Sequence, residues 1–412
     1  MTTTASESAP RTHHVLRWVL IAIVGIAVGC LVARIIVVVS QPTPAATVTP
    51  LLDSVVSVPG HAPTPTWPTT GEAAIAIPGL KVAEQSPAQA SVPIGSITKL
   101  MTAYVLLKDH PLAIGQEGPS ITVTPSDVAA WRTDLATDQS NVAIAAGEVL
   151  TERQLLEGLL VHSGNDFAQL VAEFDAGSIP AFVTKMNAQA AAIGLAGTSY
   201  GDSSGFSPSS RSTPADQLRL AALALQDPVL AATVKLPSVT LPVAGTVSSY
   251  TPFVGTDGVI GVKSGLTDQA GGCDVLAIDP VIGGTHVLVL AAVTGQQGPA
   301  KLAVAGGTAF GLAVRAAETV RVVHVAGTAA PVASIGWRGS GSPIFAARAV
   351  VAPGWPGSSI HVKTVVATAI RRRVPAATTI GSVEVTSGDL ITITPAALGA
   401  TMVPPSFIDR VV

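Results

Sequence analysis

Three short clusters of hydroxyl, amine and amide side chains stand out along the chain: Ser96-Ile97-Thr98-Lys99, Ser163-Gly164-Asn165 and Lys263-Ser264-Gly265. A serine hydroxyl is a weak nucleophile until a neighbour takes its proton. Ser96 and Lys99 are one helical turn apart, so their side chains can meet. Lys99 serves as the base only as a neutral amine, a state that burial and a second cation, Lys263, both favour. Ser163 can pass a proton to a leaving amine, and Asn165 can hold a substrate amide. Lys263 and the hydroxyl of Ser264 can bind a terminal carboxylate, while Gly265 leaves room for a substrate backbone along a strand. Unpaired N–H groups at a helix start, beside Ser96, and the N–H of Leu266 can face a developing oxyanion. Together this is acyl transfer through a serine ester. A plain structural alternative stands beside it, in which Ser96 is an N-cap and Lys99 a solvated surface lysine.

The elements that must position these groups follow from periodicity. From Ile97 the apolar residues Leu100, Met101, Tyr104 and Val105 recur at helical spacing, one face turned to a core. Thr151 and Gln154 form a capping box that opens a second helix, which stops at the Ser163 cluster. Another helix begins near Asn165 or Asp166. Two more are capped by Ser178 and by Thr213 with Pro214 in the first turn. The third cluster lies in the strand pattern GVIGVKSG, followed by GCDVLAID and THVLVLAAVTG, joined by glycine-rich turns as in an antiparallel sheet. A helix, GPAKLAVAGGTAFGLAVRAA, closes this region. The chemistry thus falls at a helix start, a loop between helices and a strand end. The fold class read from this is α+β, an antiparallel sheet flanked by helices plus a helical subdomain, over 71–320. Short β patterns parted by turns predict a small all-β domain over 321–412, with Arg371, Arg372 and Arg373 as a solvated edge.

The 412 residues carry 48% hydrophobic and only 12% charged residues and a net charge of -3, so no nucleic-acid partner is expected. Cys30 and Cys273 are the two cysteines and form no disulfide framework. The run 18–39 is apolar apart from Arg34 near one end and is long enough to span a bilayer as a transmembrane helix. Arg11 and Arg17 flank its N-terminal side, which predicts a cytoplasmic tail over 1–17, an uncleaved single-pass anchor and an extracytoplasmic body at the cell membrane. Residues 40–70 are rich in proline and threonine and read as a semi-extended linker. No metal-ligand spacing occurs, so neither metal nor cofactor is expected.

The ordered trio resembles the S-x-x-K, S-D-N and K-T-G set of the β-lactamases and penicillin-binding proteins. With SITKLMTAYVLL, GLLVHSGNDFAQLVAE, KMNAQAAAIGLAGTSY and GVIGVKSGLTDQAGGC, the chain resembles the serine D-Ala-D-Ala carboxypeptidases, low-molecular-mass penicillin-binding proteins of the β-lactamase/transpeptidase-like fold. The resemblance covers roughly 72–320 and extends more weakly into the C-terminal domain. It implies catalytic Ser96, Lys99 and Ser163, substrate-binding Asn165, Lys263, Ser264, Gly265 and Leu266, a peptidoglycan stem peptide as substrate, and β-lactams as inhibitors that acylate Ser96. Departures from the family pattern are Ser264 where threonine is usual, Gly95 where alanine is frequent, an unfamiliar TVSSYTPFVGTDG before the strand, and a C-terminal PPSFIDRVV that does not read as the amphipathic anchor of many relatives.

Rival readings weigh less. A serine β-lactamase would, by resemblance, need a loop glutamate, and no glutamate occurs between Gly177 and Lys263. A DD-endopeptidase would use the same residues and stays open, as does a catalytically vestigial wall-associated scaffold. Gly201–Gly205 fits G-x-S-x-G, but loop residues follow instead of a helix, so Ser203 reads as turn structure. His162 reads as structural, and Cys273 as a packed, reduced thiol.

Overall fold

A computed structural model describes residues 12–256, 258–337 and 340–411. Most of the expected tail, Arg11 included, lies outside the described residues. Helix α1, Thr12–Ser40, is long and apolar enough to cross a membrane, with a mean hydropathy of 2.8 over its most apolar stretch and none of that stretch buried.

The segment 40–70 is not a linker throughout. Strand β1, Thr47–Pro50, and strand β2, Val55–Ser57, form the two outer strands of a seven-stranded sheet. Its inner strands are Pro331–Trp337, Ser340–Ala346, Leu390–Leu398, Thr379–Ser387 and Ser359–Val366. Pairing is antiparallel, with Thr47 opposite Gly336 and Val55 opposite His361. Ala46 and Val58 enter the same core as Val332, Ile335, Ile344 and Val383. The C-terminal β domain is therefore built from both ends of the described chain. Composition hides this because proline and threonine are compatible with sheet edges, where one side of the ladder goes unpaired.

Between β2 and residue 321 lies the second body. Its five-stranded antiparallel sheet contains β3, Glu72–Ile77; β4, Val82–Gln85; β5, Val259–Thr267; β6, Gly271–Ile278; and β7, Val289–Gln296, in the order β5-β6-β7-β3-β4. Strand alternation splits the two faces. Cys273, Val275 and Ala277 join one core with the helical layer. Leu276 and Ile278 pack with Ala305, Ala309 and Ala313 of the closing helix, Lys301–Thr319.

The helical layer holds α2, Lys99–Asp109; α3, Pro125–Ala136; α4, Glu152–Leu160; α5, Asn165–Ala176; α6, Ile179–Ala192; and α7, Pro214–Ala224. The capping box at Thr151/Gln154 and the caps at Ser178 and Thr213 form as the sequence predicts. Helix α2 differs from its expected one-sided burial. Leu100, Met101, Thr102, Ala103, Val105 and Leu106 are all buried, because α2 runs through the middle of the body, touched by α4, α5, α6, α7 and β5. A short helix, Phe407–Val411, forms where the C-terminal PPSFIDRVV gives no helical pattern, and it packs against α1.

Candidate active site

Ser96 sits in a single 3-10 turn, Gly95–Thr98, just before α2. It caps neither the turn nor the helix through its side chain, which corrects the N-cap alternative. Lys99 is fully buried, which removes the solvated-lysine alternative as well. Its Nζ lies 2.8 Å from Ser96 Oγ, 2.6 Å from Asn165 Oδ1 and 3.0 Å from the carbonyl oxygen of Ser204. Burial drives its pKa well below that of an ordinary lysine, and the charge of Lys263 pushes the same way; Asp202, Asp166 and Asp134 oppose. The buried amine thus meets the requirement for a base toward Ser96.

Asn165 opens α5, and its backbone N donates to Ser140 O at 2.8 Å, which ties the loop after α3 to the start of α5. Ser163 lies two residues before it in the left-handed region, φ +64, and is almost wholly buried. Among the described residues no hydrogen bond joins its hydroxyl to Ser96, Lys99 or Lys263. The structure therefore brings Ser96, Lys99 and Asn165 into one hydrogen-bonded group and leaves Ser163 beside it. His162 turns away: its Nδ1 meets Ser248 O at 2.9 Å and its ring lies 4.6 Å from that of Tyr250, in keeping with a structural role.

Lys263, Ser264, Gly265 and Leu266 lie on β5, the edge strand facing the Ser96 turn. The approach is close. A Cβ built on Gly265 would lie 3.0 Å from Ser96 N, and one on Gly95 would lie 3.1 Å from Leu266 N. The two proposed oxyanion donors thus share one seam. Gly95 has φ +55, which explains glycine in place of alanine there. Lys263 is buried, donates to Ser264 O at 3.0 Å, and has its pKa lowered to about 7 by burial, with Asp274 opposing. Ser264 Oγ donates to Tyr250 O at 3.1 Å, so the unfamiliar segment before β5 supports the third cluster directly.

Five contributors went unread in the sequence. The Ser204 carbonyl binds Lys99, and Ser203 O accepts from Thr102 Oγ1 at 2.6 Å, so the Gly201–Gly205 loop serves the site through its backbone. Asp202 ties that loop together, accepting from Gly205 N, Ser207 N and the hydroxyls of Ser204 and Ser210. Asp274 stands opposite Ser264 in the β5–β6 register, fully buried, with neither carboxylate oxygen hydrogen-bonded and its pKa raised to about 8 by burial. Gln139, in the loop after α3, accepts from Asn165 Nδ2. The glycines of GDSSG signalled a close-packed loop, but nothing local signalled the other contacts. Cys273 is buried, with its thiol pushed up to about 12 by burial, which matches the packed-thiol reading.

A family model described as D-alanyl-D-alanine carboxypeptidase matches residues 74–289. A D-alanyl-D-alanine endopeptidase of Pseudomonas aeruginosa is 33% identical over 194 residues, 45% of this chain and 59% of that protein. D-alanyl-D-alanine carboxypeptidase DacF of Bacillus subtilis is 30% identical over 193 residues, 43% of this chain and 46% of that protein. The chain thus spans roughly half the length of these curated relatives. Among solved structures, D-alanyl-D-alanine carboxypeptidase DacD from Francisella tularensis superposes with a TM-score of 0.56 at 17% identity, over 83% of this chain and 95% of that one, a likeness of fold.

Proposed function

The chain belongs to the D-alanyl-D-alanine carboxypeptidase family, and from that membership and the geometry around Ser96 we propose that it removes the terminal D-alanine from peptidoglycan stem peptides through an acyl-enzyme on Ser96. The observation that carries the reading is the buried Lys99 amine 2.8 Å from Ser96 Oγ. In the first half-reaction the neutral Lys99 takes the Ser96 proton as Oγ bonds to the penultimate D-alanine carbonyl carbon. Ser96 N–H and Leu266 N–H face the resulting oxyanion. The C–N bond then breaks, and Ser163 relays the proton held by Lys99 to the departing amine, leaving Lys99 neutral. In the second half-reaction Lys99 takes a proton from the water that attacks the ester carbon and gives it to Ser96 Oγ as the ester C–O bond breaks, which restores the serine. Lys263 and Ser264 bind the substrate's terminal carboxylate, and Asn165 its amide. β-Lactams enter the same path and stop at the ester.

The apolar α1 supports an uncleaved membrane anchor, with the two bodies on the extracytoplasmic side. A second reading, DD-endopeptidase, draws support from the Pseudomonas aeruginosa relative and requires no change of residues. The test is incubation of the full chain and its Ser96→Ala variant with a fluorescent penicillin, followed by assay of D-alanine release from a stem pentapeptide. Labelling of the parent alone, with D-alanine released, supports the carboxypeptidase. Cleavage of cross-linked dimers without D-alanine release moves the assignment to the endopeptidase, and an unlabelled, folded parent refutes both.

A further inference from the structure

Lys99 Nζ has three polar neighbours, and their chemistry decides what the amine does. A neutral amine has two N–H donors and one lone pair. The Ser204 carbonyl oxygen, at 3.0 Å, only accepts. Asn165 Oδ1, at 2.6 Å, also only accepts. These two use both N–H groups. The lone pair is left for the Ser96 hydroxyl, 2.8 Å away, whose proton it must take.

This allocation holds only while Asn165 presents oxygen to Lys99. The two ends of a carboxamide are alike in size, so their neighbours decide the orientation. If the amide turned, its N–H would point at Lys99 and compete with Ser96 for the lone pair. What opposes that turn is on the other side of the amide. Asn165 Nδ2 donates to Gln139 Oε1 at 2.7 Å. The orientation of Gln139 follows from its other end: its Nε2 donates to Thr137 Oγ1 at 3.0 Å, and that hydroxyl can only accept because its own proton goes to the carbonyls of Thr133 and Asp134.

We propose that Gln139 is a positioning residue for the reaction: by accepting from Asn165 Nδ2 it keeps the Asn165 oxygen on Lys99 and so reserves the lysine lone pair for the proton of Ser96. This rests on the acyl-serine reading above and adds to it a residue that touches neither Ser96 nor Lys99. Gln139 is half-buried in a loop, where a side chain that only covered surface would tolerate replacement.

The test is the rate of labelling by a fluorescent penicillin across pH 5 to 9 for the full chain, Gln139→Leu and Gln139→Glu, with thermal unfolding as the fold control. The charged and titratable groups that act on Lys99, namely Lys263 on β5, Asp202 in its loop, Asp166 on α5 and Asp134 on α3, are the same in all three. Gln139→Leu frees the amide to turn. The plateau rate is expected to drop about tenfold or more, the range of an impaired general base. Its acidic limb moves to lower pH, because an N–H directed at the amine disfavours the ammonium. Gln139→Glu keeps an acceptor for Nδ2 and is expected to recover the plateau, with its acidic limb moved to higher pH by the added negative charge. A Gln139→Leu profile that overlays the parent overturns the proposal. So does an equal loss in both variants with unmoved limbs, which marks a merely structural role. A parent chain that takes no label refutes the acyl-serine reading itself, and this inference with it.

Discussion

Deleting residues 41–70 removes β1 and β2, and the structure predicts that the C-terminal domain will not survive it. Ala46 and Val58 are buried in that core, and Val48, Leu52 and Val56 pack partly against it. Fully burying a valine-sized side chain stabilises by about 1.5–3 kcal/mol, so the five together contribute about 5 kcal/mol, an upper estimate because the unfolded chain already hides some of this surface. Domains have only about 5–15 kcal/mol in total. The loss corresponds to a fall of about 20 °C or more in the unfolding midpoint of a domain this size. It also uncovers the ladders of Pro331–Trp337 and Ser359–Val366, two new edges open to aggregation. Calorimetry of 41–412 beside 71–412 measures the effect, with penicillin labelling of both as the check on the other body. The shorter protein should lose or sharply lower one transition while Ser96 is still labelled, since β3 begins at Glu72 and the second body loses from this stretch the partly buried Trp67 ring and the Thr70 carbonyl that accepts from Gln296. Coincident transitions in the two proteins would refute the claim that β1 and β2 belong to this core.

Two further outcomes are expected. Gly205 has φ +83, and a Cβ there would lie 1.9 Å from Gly95 O and 2.6 Å from Thr98 Oγ1. Gly205→Ala must therefore displace the loop whose Ser204 carbonyl holds Lys99, cutting the acylation rate tenfold or more by about the logic of a misplaced catalytic group and costing roughly 1–3 kcal/mol of stability; an unchanged acylation rate refutes the loop's role. Glu152 is buried with neither carboxylate oxygen hydrogen-bonded, and burial raises its pKa from 4.5 to about 7. Its folded state prefers the proton, so this contribution is fully present below pH 4.5 and is lost as pH rises toward 7. Glu152→Gln should gain about 3 kcal/mol at pH 8 relative to pH 4, read from urea unfolding at the two values. A residual slope is expected from Asp166, also raised to about 7, and a variant with the parent's full slope contradicts the assignment.

The Ser96–Lys99 pair was legible because its geometry is local: one turn of chain brings hydroxyl and amine together whatever surrounds them. Asn165 and the β5 cluster were legible because each lies at the boundary of an element whose periodicity was clear. The remaining parts of the site depend on contacts with no local signature. The Ser204 carbonyl meets Lys99 across 105 residues, and a backbone oxygen carries no residue identity to read. Gln139 reaches Asn165 across 26 residues, from a loop that composition marks only as polar. The same physics hid β1 and β2, whose partners Gly336 and His361 lie near the other end of the chain. That long-range pairing also sets the architecture. Because β1 and β2 follow α1 directly and close both sides of the C-terminal sheet, the chain enters and leaves the body that carries Ser96 from one β domain. Arg410 bonds to Gln41 O and Trp337 Nε1 to Pro44 O, which tie that domain to the end of α1.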